Sequence, residues 1–148
     1  MFFLKALPTD TMIARFADQY APGKTGEIGE TLKLLRDASR LIRQLDAFFA
    51  RHDLSQLKFL ILMVIDREPA RGALRFSDIV ARIDVSRPVL SRTVNAMLES
   101  GLLGETPDDK DARVRHLAIA PAGQTVFDSL LPEYFAILTQ SRLGDLKT

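Results

Sequence analysis

The stretch Asp84–Leu103, DVSRPVLSRTVNAMLESGLL, carries both ends of a helix in its own residues. Ser86 stands where an N-cap is wanted. Pro88 falls in the first turn, where a missing N–H costs nothing, and Gly101 can stop the helix in a left-handed conformation. Leu90, Val94, Met97 and Leu98 recur at helical spacing and form one apolar face. Arg87, Ser91, Arg92 and Asn95 are left for the N-terminal turn and the outer side. Burying Leu90, Val94 and Leu98 should stabilise the fold by roughly 1.5–3 kcal/mol each. The helix is therefore pinned from within, and its arginines and small polar groups are left outward.

The flanking sequence narrows the choice. Before it, FSDIVARI predicts a short helix over about Phe76–Ile83, with Phe76, Ile79, Val80 and Ile83 facing inward. Only Asp84-Val85-Ser86 separates the two, which is a helix-turn-helix. Asp84 stands where many such turns place glycine, and aspartate tolerates the left-handed conformation. After Gly101 the period changes. Leu102–Thr106 reads as a strand, Pro107–Ala112 as a polar turn, and Val114–Ala120 as a returning strand. A hairpin directly after the second helix is the wing of a winged helix-turn-helix.

The rest of the chain reads as helical. Thr9–Tyr20 predicts a short helix, broken by APGKTG. That GKT lacks the first glycine and the spacing of a phosphate-binding loop. About Thr31–Arg51 is strongly amphipathic: Leu32, Leu35, Ile42, Leu45 and Phe49 recur at helical steps, widened by Leu34, Leu41 and Phe48. Such a stripe exceeds what one side of a small domain needs and fits a partner helix from a second subunit. Ser55 caps QLKFLILMVIDRE, apolar almost all round and so central, with Pro69–Gly72 ending it and Ala73–Arg75 as a short strand. Pro121 opens a last helical region to about Gln140, with Val126, Leu130, Tyr134 and Leu138 at four-residue steps. Pro132 should kink or split it. No role is assigned to the tail SRLGDLKT. The fold class is mainly α with a small β-hairpin wing.

Composition excludes several functions. The 148 residues, 47% apolar, suffice for a globular domain with a proper core. No run approaches a membrane span. The opening MFFLKALP, interrupted by Lys5, lacks the core of a secretory signal, which predicts a cytoplasmic protein. With no cysteine, disulfides and thiol chemistry are ruled out. His52 and His116 are the two histidines and lie far apart, so no metal or cofactor is expected. Asp108, Asp109 and Asp111 share a turn but have no cleft and no nucleophile, so an enzyme is not expected. The formal charge is only +1. Yet every basic residue from Arg67 to Arg92 is arginine: Arg67, Arg71, Arg75, Arg82, Arg87 and Arg92. Arginine is the donor fork suited to phosphates and guanine edges. For any one of these, solvent exposure is the plain alternative. Within a helix-turn-helix, Arg92 can fork onto guanine, Asn95 onto adenine, and Ser86 and Ser91 onto phosphate or base. Arg87 serves backbone or base, and Pro88 shapes the first turn.

Leu54–Gly123 resembles the MarR family of regulators. The matching pieces are LSQLKFLIL, FSDIVARIDVSRPVLSRTVNAMLESGLL and the wing DDKDARVRHLAIAPAG. Asp111-Ala112-Arg113 fits the family's Asp-x-Arg. Ile119–Gly123 fits its Leu-Thr-x-x-Gly, with Ala120 in place of the capping threonine. The resemblance implies a homodimer on a palindromic operator in double-stranded DNA, more often a repressor than an activator. Recognition helices enter major grooves and wing arginines enter minor grooves. Arg113 is then the minor-groove arginine, Asp111 its orienting partner, and Lys110 and Arg115 contact the backbone. Glu105, Asp108 and Asp109 would repel phosphate, so the wing contact is local. Residues 1–53 become an N-terminal extension with a dimerisation helix, 54–120 the DNA-binding domain, and 121–148 a C-terminal helix contributing to dimerisation. The extension is longer than the family's, and its final helix is short or absent after Gln140. Many relatives release DNA on binding a small aromatic effector, which points near Phe48, Phe49 and His52, where packing is the ordinary use of a phenylalanine pair. The competing class is a winged-helix module for protein–protein assembly without an operator, since fold does not fix function.

Overall fold

The computed structural model describes residues 2–67 and 72–140. The order is α1 (Asp10–Tyr20), α2 (Thr25–Ala50), α3 (Gln56–Asp66), β1 (Leu74–Arg75), α4 (Phe76–Val80), α5 (Arg87–Glu99), β2 (Leu103–Pro107), β3 (Arg115–Ile119) and α6 (Pro121–Gln140). The expectations at Pro69–Arg71 and for the tail lie outside the described residues. The described residues fall into two compact units: 2–48 with 136–140, and 49–67 with 72–135.

The first unit is built from α1 and most of α2. Thr9 caps α1 by accepting from the Met12 amide at 3.3 Å. Ile13 and Ala17 are buried. Ahead of α1 the chain reaches back at Phe2, whose N–H and C=O both bond the Ser39 hydroxyl. α2 begins at Thr25, six residues before the predicted Thr31. Its early turns contain Gly26 and Gly29, each costing about 1 kcal/mol in propensity. Packing offsets that cost: a Cβ at Gly29 would lie 3.7 Å from Ile13 Cδ1, so α1 seats closely over it.

The second unit centres on α3. Ser55 accepts from the Lys58 amide at 3.2 Å and starts it as predicted. Phe59, Ile61, Leu62, Val64 and Ile65 are buried. Phe59 lies 4.9, 5.3 and 4.6 Å, centroid to centroid, from Phe49, Phe127 and Tyr134, in tilted contacts that add to simple area burial. α6 runs as one helix through Pro132, so of the expected kink or split the split does not occur. Pro132 is exposed, and Phe127, Leu130 and Tyr134 are buried before and after it. One lost hydrogen bond facing water is outweighed by that anchored face.

The strands form one antiparallel sheet in the order β1-β3-β2. The β2–β3 hairpin is the predicted one, with Leu103 opposite Ile119 and Pro107 opposite Arg115. The short strand expected at Ala73–Arg75 is present as β1, and what the structure adds is its pairing, Leu74 with Leu117 and Arg75 with His116. Two residues carry no period, so that pairing could not be read from the sequence.

Candidate nucleic-acid interface

α5 follows the predicted caps with one correction. Ser86 is the N-cap, and its C=O accepts from Leu90 N–H at 3.0 Å, but its side chain makes no cap bond. Pro88, two residues on, has no N–H to offer it. At the other end Gly101 adopts φ +76°. Its N–H donates to Leu98 C=O at 3.1 Å and that of Leu102 to Met97 C=O at 2.9 Å, the paired closure of a Schellman motif. Leu90, Val94 and Met97 are buried; Leu98 is only half-buried.

The approach to α5 differs from expectation. α4 stops at Val80, not Ile83. Ala81 N–H still donates to Ser77 C=O, but Arg82 N–H turns to Ile79 C=O, a tighter step that ends the helix. The connector is therefore 81–86. Asp84 is not left-handed: among the described residues Asp53, at φ 52°, is the non-glycine with positive φ.

Arg87, Pro88, Arg92 and Asn95 are exposed and Ser91 is half-buried. The Arg87 guanidinium lies 5.2 Å from the Phe76 ring centroid, a cation–π contact that holds it at the α5 N-terminus. Ser91 and Asn95 line a hollow of about 150 Å³ with Phe76, Leu98, Glu105 and Arg115. α5 and the wing thus meet at one seam of mixed polar and apolar side chains, and Arg115 is ion-paired there with Glu105. Lys110, Asp111 and Arg113 stand apart from this group, at the tip of the wing. Sequence reasoning missed Val89, an apolar side chain 37% exposed on α5. Its position off the buried stripe was the available signal.

At the tip, Arg113 is 91% exposed. Asp111 Oδ1 accepts from Arg113 N–H at 3.0 Å and from Nε at 3.2 Å, and Oδ2 accepts from Nη2 at 3.4 Å. Asp108, read from sequence only as a repulsive charge, proves to be bound on all sides. Its Oδ1 accepts from the amides of Lys110 (2.9 Å) and Asp111 (3.2 Å). Oδ2 accepts from His116 Nε2 at 2.8 Å and Arg75 Nη2 at 3.4 Å. The His116 hydrogen bond, followed by that of the Lys110 amide, holds the Asp108 carboxyl down at about 2. Arg75 and His116 face one another across β1–β3, and only that unforeseen pairing brings them to the turn.

Among the described residues there is no cluster of His, Cys, Asp or Glu fit to hold a metal ion, and no helix long and apolar enough to cross a membrane. Phe48 and Phe49, considered for an effector site, are fully buried, whereas His52 is exposed. The phenylalanines are core.

A short helix, a turn, a pinned helix with a polar outer side and a hairpin carrying an exposed arginine define a winged helix-turn-helix protein. Residues 52–114 match the model of the MarR family. The HTH-type transcriptional repressor YetL of Bacillus subtilis (strain 168) is 24% identical over 134 residues, covering 90% of this chain and 79% of that protein. Over these residues the chain is similar to the MarR family, and its fold is that of MarR family regulators of known structure. Solved structures share the fold. Sco3205 of Streptomyces coelicolor, a MarR family regulator in complex with DNA, superposes with a TM-score of 0.72 at 17% identity, covering 84% of this chain and 80% of that one. Bordetella bronchiseptica BpsR, whose DNA binding is regulated by 6-hydroxynicotinic acid, gives 0.66 at 18% identity, covering 77% and 79%.

Proposed function

We propose that this protein is a cytoplasmic, sequence-specific repressor that binds a palindromic operator as a homodimer. The observation that carries the reading is the division of α5: Leu90, Val94 and Met97 are buried while Arg92 and Asn95 are exposed. α5 lies in the major groove. Arg92 and Asn95 address guanine and adenine edges, Ser91 stands beside them, and Val89 meets a thymine methyl. Ser86, Arg87 and Pro88 face a phosphate at the helix N-terminus, where backbone N–H groups and the dipole favour an anion. Arg113, oriented by Asp111, enters the flanking minor groove, and Lys110 and Arg115 lie along the backbone. That YetL is a repressor and that Sco3205 was solved with DNA support this reading.

A small aromatic effector releases the operator. Regulation of BpsR by 6-hydroxynicotinic acid supports that part. Such a ligand acts only if it prefers one spacing of the recognition helices over another.

The test is titration of the protein on fragments of its own upstream region and on random DNA, at two salt concentrations. Binding to one fragment tighter by at least about a thousandfold than to random DNA is expected. Equal affinity for both would leave only the assembly-module reading.

A further inference from the structure

The wing turn is closed by a single carboxylate. Asp108 Oδ1 gathers the amides of Lys110 and Asp111. The Asp108 N–H donates to Val114 C=O at 2.9 Å, and the Val114 N–H returns to Asp111 C=O at 2.9 Å. The backbone of Asp111 is therefore fixed from both sides, and the side chain of Asp111 in turn holds both the amide and the guanidinium of Arg113. Asp108 Oδ2, on the far side of the same carboxylate, is clasped by His116 from β3 and Arg75 from β1. Arg75 also begins α4, its amide donating to Asp78 at 3.3 Å. The chain of contacts runs from the start of the helix-turn-helix, through Asp108, to an arginine that is otherwise almost wholly in solvent.

We propose that Asp108, seated by His116 and Arg75, is a positioning residue for Arg113 that presets the wing tip for DNA. The inference rests on Arg113 being a DNA contact, as proposed above. A free arginine must give up rotamer entropy when it enters a groove; one already aimed gives up less. Asp108 itself touches no DNA in this account. Its negative charge is matched within the protein, which removes the repulsion expected of an acid so near phosphate.

A double-mutant cycle on operator DNA tests it, comparing wild type, Arg113→Ala, Asp108→Ala, the double variant and Asp108→Asn, with thermal melting to confirm folding. Each single alanine variant should bind about tenfold more weakly, and the double variant also about tenfold, because both act through one guanidinium. Asp108→Asn should recover most of the loss: its amide oxygen still accepts from the Lys110 and Asp111 amides, which keeps the backbone of the turn in place. If Asp108→Ala does not fold, His116→Ala carries the same cycle, since it unseats the carboxylate. Wild-type affinity in Asp108→Ala, additive losses near a hundredfold, or no recovery with asparagine would overturn the inference while leaving the operator reading standing. If Arg113→Ala alone binds like wild type, the fault lies with the minor-groove assignment, and the inference falls with it.

Discussion

Arg92 stands on the outer side of α5, away from the buried Leu90, Val94 and Met97. Its replacement by alanine should leave the melting temperature unchanged and lower operator affinity by about 1–3 kcal/mol, with preference relaxed at one base position. Equal loss on every sequence would mark a phosphate contact instead. Asp108 makes a prediction of another kind. Its folded pKa, about 2, lies below its ordinary 3.8. A lowered carboxylate pKa stabilises the fold where the group is ionised in both states, that is, above 3.8. The contribution is lost as pH falls from 3.8 towards 2. Chemical denaturation of wild type and Asp108→Asn should therefore differ at pH 6, and the gap should narrow as pH falls from 3.8 to 2. A gap that persists unchanged at pH 2 would show that the carboxylate's charge is not its source.

Elements differ in how much of themselves the sequence declares. α5 was legible almost to the residue, because serine, proline and glycine mark its ends and the apolar spacing marks its inner face. The hairpin was legible because the helical period stops after Gly101 and two short runs flank a polar turn. What escaped was non-local. α2 starts early because Gly29 accepts Ile13 from another helix. α6 survives Pro132 because its buried face anchors it on both sides. The Asp108 cluster exists only once β1 pairs with β3, and a two-residue strand has no pattern to read. Ile119–Gly123, which resembles the MarR family's Leu-Thr-x-x-Gly, carries an element-level constraint at its glycine. A Cβ at Gly123 would lie 2.1 Å from Leu102 C=O, the acceptor of Ala120 N–H at 3.0 Å. Gly123→Ala should thus force α6 away from the end of α5 and destabilise the protein by about 1–3 kcal/mol or more. An unchanged melting temperature would show that this junction yields freely. Ala120, by contrast, offers no side-chain cap, so Ala120→Thr should raise stability by about 0.5–2 kcal/mol.

At the scale of the molecule, the described residues leave apolar surface exposed. In the first unit Met12, Phe16, Tyr20, Leu34, Leu35 and Ile42 are exposed, and Met12, Phe16 and Tyr20 line an apolar hollow of about 430 Å³ with Ile28 and Leu32. The over-wide stripe seen in the sequence of α2 is the same feature. In the homodimer proposed above, a second copy would cover it. Selection of bound sequences from a random DNA pool tests this account most directly. It predicts an enriched inverted repeat whose half-sites lie about one helical turn apart, roughly 34–36 Å. A pool that enriches nothing, or only a single unrepeated site, would contradict it.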